Sequence, residues 1–258
     1  MASVCESFLW EEPCGVQVVS PRALPVLIPT ELTGDFRRMT MRKIILFARA
    51  LAKSVFCTSN DTRITNYGNP PKALLVIDMQ VDLVDENGKF PIEKNQINGL
   101  ITTVNAIIEG FYNDECIIIY IRNILKKWNI AGPFIKYATR EGTPGAEIDP
   151  RINIVSVNIF DKYKGSALSN EKLNNFLMQN HVDELYLCGI MADGCVYNTA
   201  LDAFDRNYKV NYFSNAVGAK STENIEKAIK KLNKKGINII EFNPVENSGH
   251  DARNGAKS

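Results

Sequence analysis

Histidine is almost missing from this sequence. Among 258 residues only His181 and His250 occur, and His250 sits in a polar tail. Two imidazoles cannot build a zinc site that needs several. A Ser-His-Asp or Cys-His arrangement would have to rest on His181 alone. If the chain is an enzyme, its general base is therefore a carboxylate or a lysine. Paired cysteine motifs are missing too: Cys5, Cys14, Cys57, Cys116, Cys188 and Cys195 form no C-x-x-C. Cys116 and Cys188 lie in apolar runs and read as reduced core thiols, which suggests a reducing, cytoplasmic compartment rather than a disulfide scaffold. Excess charge is absent: 30 basic against 29 acidic residues leave +1. No global basic field points to nucleic acid as a partner. No apolar run approaches the ~20 residues that span a membrane.

What remains is an ordinary globular composition, 45% hydrophobic and 23% charged, long enough to bury a sizeable core without staples. Residues 1–71 differ from the rest. Pro21, Pro25, Pro29, Pro70 and Pro71 interrupt them, and their hydrophobicity has no sustained period. They read as an N-terminal extension. Within it the basic, acid-free stretch after Met41, up to residue 57, is either a weak targeting segment or a short helix. Residues 244–258 are polar and are expected to be a disordered tail.

From Lys72 the pattern becomes regular. Apolar runs at Ala73–Ile77, Cys116–Ile121, Ile154–Phe160, Leu185–Ile190, Lys209–Phe213 and Ile237–Phe242 read as six strands. Between them apolar residues recur at helical spacing, as in Ile97, Leu100, Ile101, Val104, Ile107, Ile108 and Phe111. Alternating strands and helices, with near-continuous apolar strands, predict an α/β fold over 72–243. The expected form is a doubly wound, mostly parallel six-stranded sheet with helices on both faces. The interval 122–153 is rich in Gly and Pro and reads as a long functional loop or lid.

Ligands of open parallel sheets bind beyond the carboxyl ends of the strands. Asp78 follows the first strand, Lys162 and Lys164 follow the third, and Cys195 opens the helix after the fourth. A thiol at a helix N-terminus gains thiolate character, and the amides there are able to hold an oxyanion. Cys195 is thus either a nucleophile or a small packing residue. Asp78 is either its general base or a solvated loop acid. One of the lysines is either the cation that stabilises the thiolate or a solvated charge. All fall at one sheet edge.

The segments ALLVIDMQ (73–80), K-x-x-x-S-A-L (162–168) and CGIMADGCVYNTALDA (188–203) resemble the isochorismatase-like cysteine hydrolases, in the order those motifs take in that family. The resemblance implies an Asp-Lys-Cys triad of Asp78, Lys162 and Cys195, with Lys164 as the fallback lysine. It also implies a cis peptide at Ile190–Met191, which would aim the Met191 and Cys195 amides at the oxyanion, and a homo-oligomer. Val81 and Leu83 depart from the usual Asn and Phe of the first motif, and Leu168 from the usual Phe of the second.

The metal-binding branch of that family places an Asp and histidines after its second strand. Residues 116–140 here contain no Asp, Glu or His, so no catalytic metal and no cofactor are expected. The same residues carry Arg122, Lys126, Lys127, Lys136 and Arg140. Arg122, with Ile190, is the expected substrate-binding residue, and the basic loop suits a small carboxylate-bearing substrate. The sequence thus supports a cysteine hydrolase of a small amide, carbamoyl or ureido compound. A vinyl-ether hydrolase of the isochorismate type and a silent binding member of the fold are the alternatives.

Overall fold

The computed structural model describes residues 71–114, 116–127 and 132–243. The expected extension before residue 71, with its basic stretch, and the expected tail from residue 244 lie outside the described residues.

Among the described residues six strands form one sheet: β1 Lys72–Ile77, β2 Ile117–Asn123, β3 Ile159–Lys162, β4 Glu184–Ile190, β5 Lys209–Gly218 and β6 Asn238–Ile240. Their order is β3-β2-β1-β4-β5-β6, and every pairing is parallel. The chain winds outward from β1 in one direction, then returns to its other side. β1 is consequently the centre of the sheet, and the crevice between β1 and β4 is where the winding reverses.

Ala73 to Ile77 are all buried, because both faces of the sheet are covered. Ala73, Leu75 and Ile77 pack with Leu173, Leu177, Val196, Ala200 and Leu232. These come from α3 (Glu171–Gln179), α4 (Cys195–Asp205) and α5 (Thr222–Lys235). Leu74 and Val76 point the other way and meet Ile97, Leu100, Val104 and Ile108 of α2 (Lys94–Asn113). The period of two along β1 thus feeds two separate cores. A one-turn helix, α1 (Val81–Val84), follows β1. Among the described residues no helix is long and apolar enough to cross a membrane.

The largest differences from the sequence expectation are in the third and fifth strands. The third strand lies at Ile159–Lys162 instead of Ile154–Phe160. The β-branched run before it is not buried: Val157 is 94% exposed and Ile154 52%. There Ser156 Oγ and Asn158 Nδ2 donate to the Ile118 carbonyl, so side chains replace a regular ladder. The fifth strand runs on to Gly218, with a register shift opposite Leu187–Gly189.

Candidate active site

The carboxyl edge of the sheet gathers the chemistry. Asp78 is the first residue beyond β1. Its backbone is left-handed, with φ 55°, a conformation that Asp tolerates better than most residues. Its N–H donates to the Ile121 carbonyl at 2.9 Å, which ties the turn to β2. Lys162 is the last residue of β3, 1% exposed. Its ammonium lies 2.8 Å from Asp78 Oδ2 and 3.1 Å from Cys195 Sγ. The three residues named from the sequence therefore meet around one nitrogen. Lys164 is exposed and is not the lysine of this cluster.

Burial sets the electrostatics. It pushes the Asp78 carboxyl up, and Lys162 and the Cys195 thiol only partly oppose the rise. Burial alone would pull the Lys162 ammonium down, but Asp78 and Cys195 outweigh it and hold it above its ordinary value. The Cys195 thiol is pushed up to about 12 by burial and then by the Asp78 charge, against Lys162. The helix N-terminus favours thiolate character at Cys195, and burial works against it. Among the described residues Asp78 Oδ1, which is buried, has no hydrogen-bond partner. One carboxylate oxygen is thus fixed by Lys162, and the other is left able to accept.

Cys195 opens α4, so its N–H is one of the amides that the helix itself cannot satisfy. The approach from β4 runs through a cis peptide at Ile190–Met191. The Gly194 and Val196 amides both donate to the Met191 carbonyl, at 2.9 and 3.1 Å. Gly189 adopts φ 111°, and a Cβ there would collide with the Ile77 backbone; only glycine lets β4 come this close to β1. The Ile190 side chain is fully buried in the core on the α2 side, beside Gly218.

The Ser-Ala-Leu motif serves geometry. Ser166 Oγ donates to Asp202 Oδ2 at 2.6 Å, Arg206 Nε to Asp202 Oδ1 at 2.9 Å, and the Ala167 N–H to Thr199 Oγ1 at 2.9 Å. These buried bonds dock the segment after β3 onto α4, which holds Lys162 and Cys195 at a fixed separation. The long loop is also fastened. Asp82 accepts from the Thr139 N–H at 2.9 Å, and a Cβ on Gly145 would occupy the Asp82 carboxylate.

Arg122 lies at the end of β2, as the sequence places it, but its charge is already matched. It meets Asp161 at 2.7 Å and Glu147 at 2.5 Å. Lys126 stacks over the Tyr163 ring, 4.3 Å from its centroid. Two residues near the triad escaped the sequence reading: Gln80, fully buried, and Asn123, whose Oδ1 lies 3.3 Å from the Lys162 ammonium. Their signal was an amide in each of two segments that otherwise read as strand ends.

Among the described residues no group of three or more His, Cys, Asp or Glu side chains is placed to hold a metal ion. β2 ends in Asn123, followed by Ile124 and Leu125, and His181 precedes β4 at the opposite end of the sheet. The described residues do not fit a metal at this edge.

The doubly wound α/β sheet carries a buried Asp-Lys-Cys cluster at its carboxyl edge. The isochorismatase domain model matches residues 72–243; the chain belongs to the isochorismatase family and is an isochorismatase-like hydrolase. Over 107 residues it is 32% identical to the secreted isochorismatase effector Isc1 of Phytophthora sojae (strain P6497), a match covering 40% of this chain and half the length of that protein. It is 25% identical over 193 residues to the N-carbamoylsarcosine amidase of an Arthrobacter species, covering 70% of this chain and 72% of that one. The pyrazinamidase of Pyrococcus horikoshii, solved in complex with zinc, superposes with a TM-score of 0.60 at 27% identity, over 67% of this chain and 100% of that chain.

Proposed function

We propose that this protein is a metal-independent cysteine hydrolase that cleaves the C–N bond of a small amide, carbamoyl or ureido compound through a thioester on Cys195. The observation that carries the reading is the buried Lys162 ammonium, 2.8 Å from Asp78 Oδ2 and 3.1 Å from Cys195 Sγ, with Asp78 Oδ1 unpartnered among the described residues. The similarity to N-carbamoylsarcosine amidase supports a carbamoyl-type substrate.

In this mechanism Asp78 Oδ1 takes the thiol proton as Sγ attacks the carbonyl carbon. Lys162 stays charged and donates to the sulfur, which lowers the cost of the negative charge that develops there. The backbone N–H groups of Met191 and Cys195 hold the oxyanion. Asp78 then gives its proton to the departing ammonia or amine, and the C–N bond breaks. Water, deprotonated by Asp78, opens the thioester and restores the thiol. The basic loop would draw a carboxylate on the substrate, and Arg122 would receive it by exchanging Glu147, which is 61% exposed, for the ligand.

Ammonia release from a panel of carbamoyl, ureido and simple amides tests the reading, with Cys195→Ala as control. Release that needs Cys195 from at least one member is expected. Release at full rate by Cys195→Ala would overturn it.

A further inference from the structure

A lysine ammonium has three N–H groups and no acceptor. At Lys162 two of them point at Asp78 and Cys195. The third has a partner that the proposed reaction does not use: Asn123 Oδ1, at 3.3 Å. Asn123 and Lys162 are register partners across β2 and β3, so the contact is set by the sheet itself.

The Asn123 side chain is oriented. Its Nδ2 donates to Thr139 Oγ1 at 3.4 Å. The flipped amide would set an NH₂ group against the ammonium, donor against donor. Its backbone is gripped as well. The Asn123 N–H donates to Gln80 Oε1 at 2.8 Å, and Gln80 Nε2 donates to the Asn123 carbonyl at 3.0 Å. Gln80 Nε2 also donates to the Ala146 carbonyl at 2.6 Å. The Gln80 N–H returns to the Asp78 carbonyl at 2.8 Å. Asp78, Lys162, Asn123 and Gln80 therefore form a closed ring of hydrogen bonds.

We infer that Asn123 is a positioning residue for Lys162, with Gln80 as its anchor, and that this ring holds the ammonium on the Asp78 carboxylate and the Cys195 sulfur at once. A carbonyl-type oxygen at the third N–H favours the charged lysine. A neutral amine would turn a lone pair toward either Asn123 Oδ1, Asp78 or the sulfur. The ring also passes the position of the long loop, through Ala146, to the reacting groups. The inference rests on the triad reading above and goes beyond it in naming what fixes the lysine.

The test is the rate at which iodoacetamide alkylates Cys195 in the full chain at pH 8, followed by mass spectrometry of the Cys195 peptide, with melting monitored by circular dichroism. Asn123→Leu removes the acceptor at similar volume. It is expected to slow alkylation about tenfold, since one pKa unit of lost thiolate stabilisation is a factor of ten and a hydrogen bond to a charged group is worth at least that much. Asn123→Gln keeps a neutral amide acceptor and is expected to slow alkylation less than Asn123→Leu. Asn123→Ala, which also lacks an acceptor, serves in place of Leu if that variant does not fold. Lys162→Met is expected to slow alkylation at least as much as Asn123→Leu. A wild-type rate in Asn123→Leu, with Lys162→Met slow, overturns the inference and leaves the triad reading intact. Equal slowing in Asn123→Leu and Asn123→Gln, alongside equal losses of melting temperature, assigns Asn123 a merely structural role and also overturns it. A wild-type rate in Lys162→Met removes the lysine from the triad and takes both readings down.

Discussion

The Lys162 ammonium lies 2.8 Å from the Asp78 carboxylate, and both side chains are at most 2% exposed. A buried ion pair is weak as a source of stability, yet breaking one partner is strongly destabilising because the other charge is stranded. Asp78→Asn is therefore expected to lower stability by about 3–5 kcal/mol and to remove turnover. Lys162→Met strands the carboxylate, and Asp78→Asn combined with Lys162→Met is expected to recover part of the loss. Urea denaturation of the three variants measures the coupling; strictly additive losses would contradict the pairing.

Activity should fall in acid. Burial raises the Asp78 carboxyl above the ordinary carboxylate range, and the protonated acid cannot accept the thiol proton. The acid limb of kcat/KM is expected above pH 4, the ordinary value for Asp being about 3.9. The alkaline limb is not set by the thiol at neutral pH, because Cys195 is held up to about 12. Kinetics across pH 4 to 10, for whichever substrate is found, check both limbs.

Stability has a different pH dependence at Glu184. Burial would raise this carboxyl, but Lys209 at 3.0 Å, Tyr186 and Asn211 reverse that and hold it below its ordinary value. A depressed folded-state pKa means that the unfolded chain takes up the proton first. The contribution is fully present above the unfolded value of about 4.3 and is lost as pH falls through the folded value. Glu184→Gln is expected to melt lower than wild type at pH 6, with the gap closing below about pH 4. A gap that is constant with pH would show that ionisation is not its source.

Asp202 joins Ser166, Arg206 and α4 behind the triad. Asp202→Ala leaves the Arg206 guanidinium buried without this carboxylate and is expected to cost about 3–5 kcal/mol. Because the same bonds set the spacing of β3 and α4, the variant should also lose Cys195 reactivity at temperatures where it remains folded. Unchanged alkylation of Cys195 would separate stability from site geometry.

Much of this arrangement is legible in the residues. Continuous apolar runs ending in Asp78 and Ile190 give buried parallel strands, and the chemistry of such sheets lies at their carboxyl ends. Asp78, Lys162 and Cys195 follow from that rule together with the family motifs. The third strand is less legible, because Ile154, Val155 and Val157 have strand propensity without burial to enforce it. Arg122 reads as a free cation because its neighbours from 116 to 140 include no acid; Asp161 and Glu147 reach it only through the fold. Ile190 reads as a pocket residue by its position, although its side chain turns into the core. Gln80 and Asn123 show in sequence only as an amide at each strand end, since 43 positions separate the two amides that the sheet brings together.

The central claim is a covalent bond between Cys195 and the substrate carbonyl. Mass spectrometry of the intact chain, acid-quenched during turnover of an active amide, tests it most directly. The account predicts an added mass equal to the acyl group, localised to the Cys195 peptide and absent from Cys195→Ala. Steady turnover that persists in Cys195→Ala, with no acyl adduct in either protein, would contradict it.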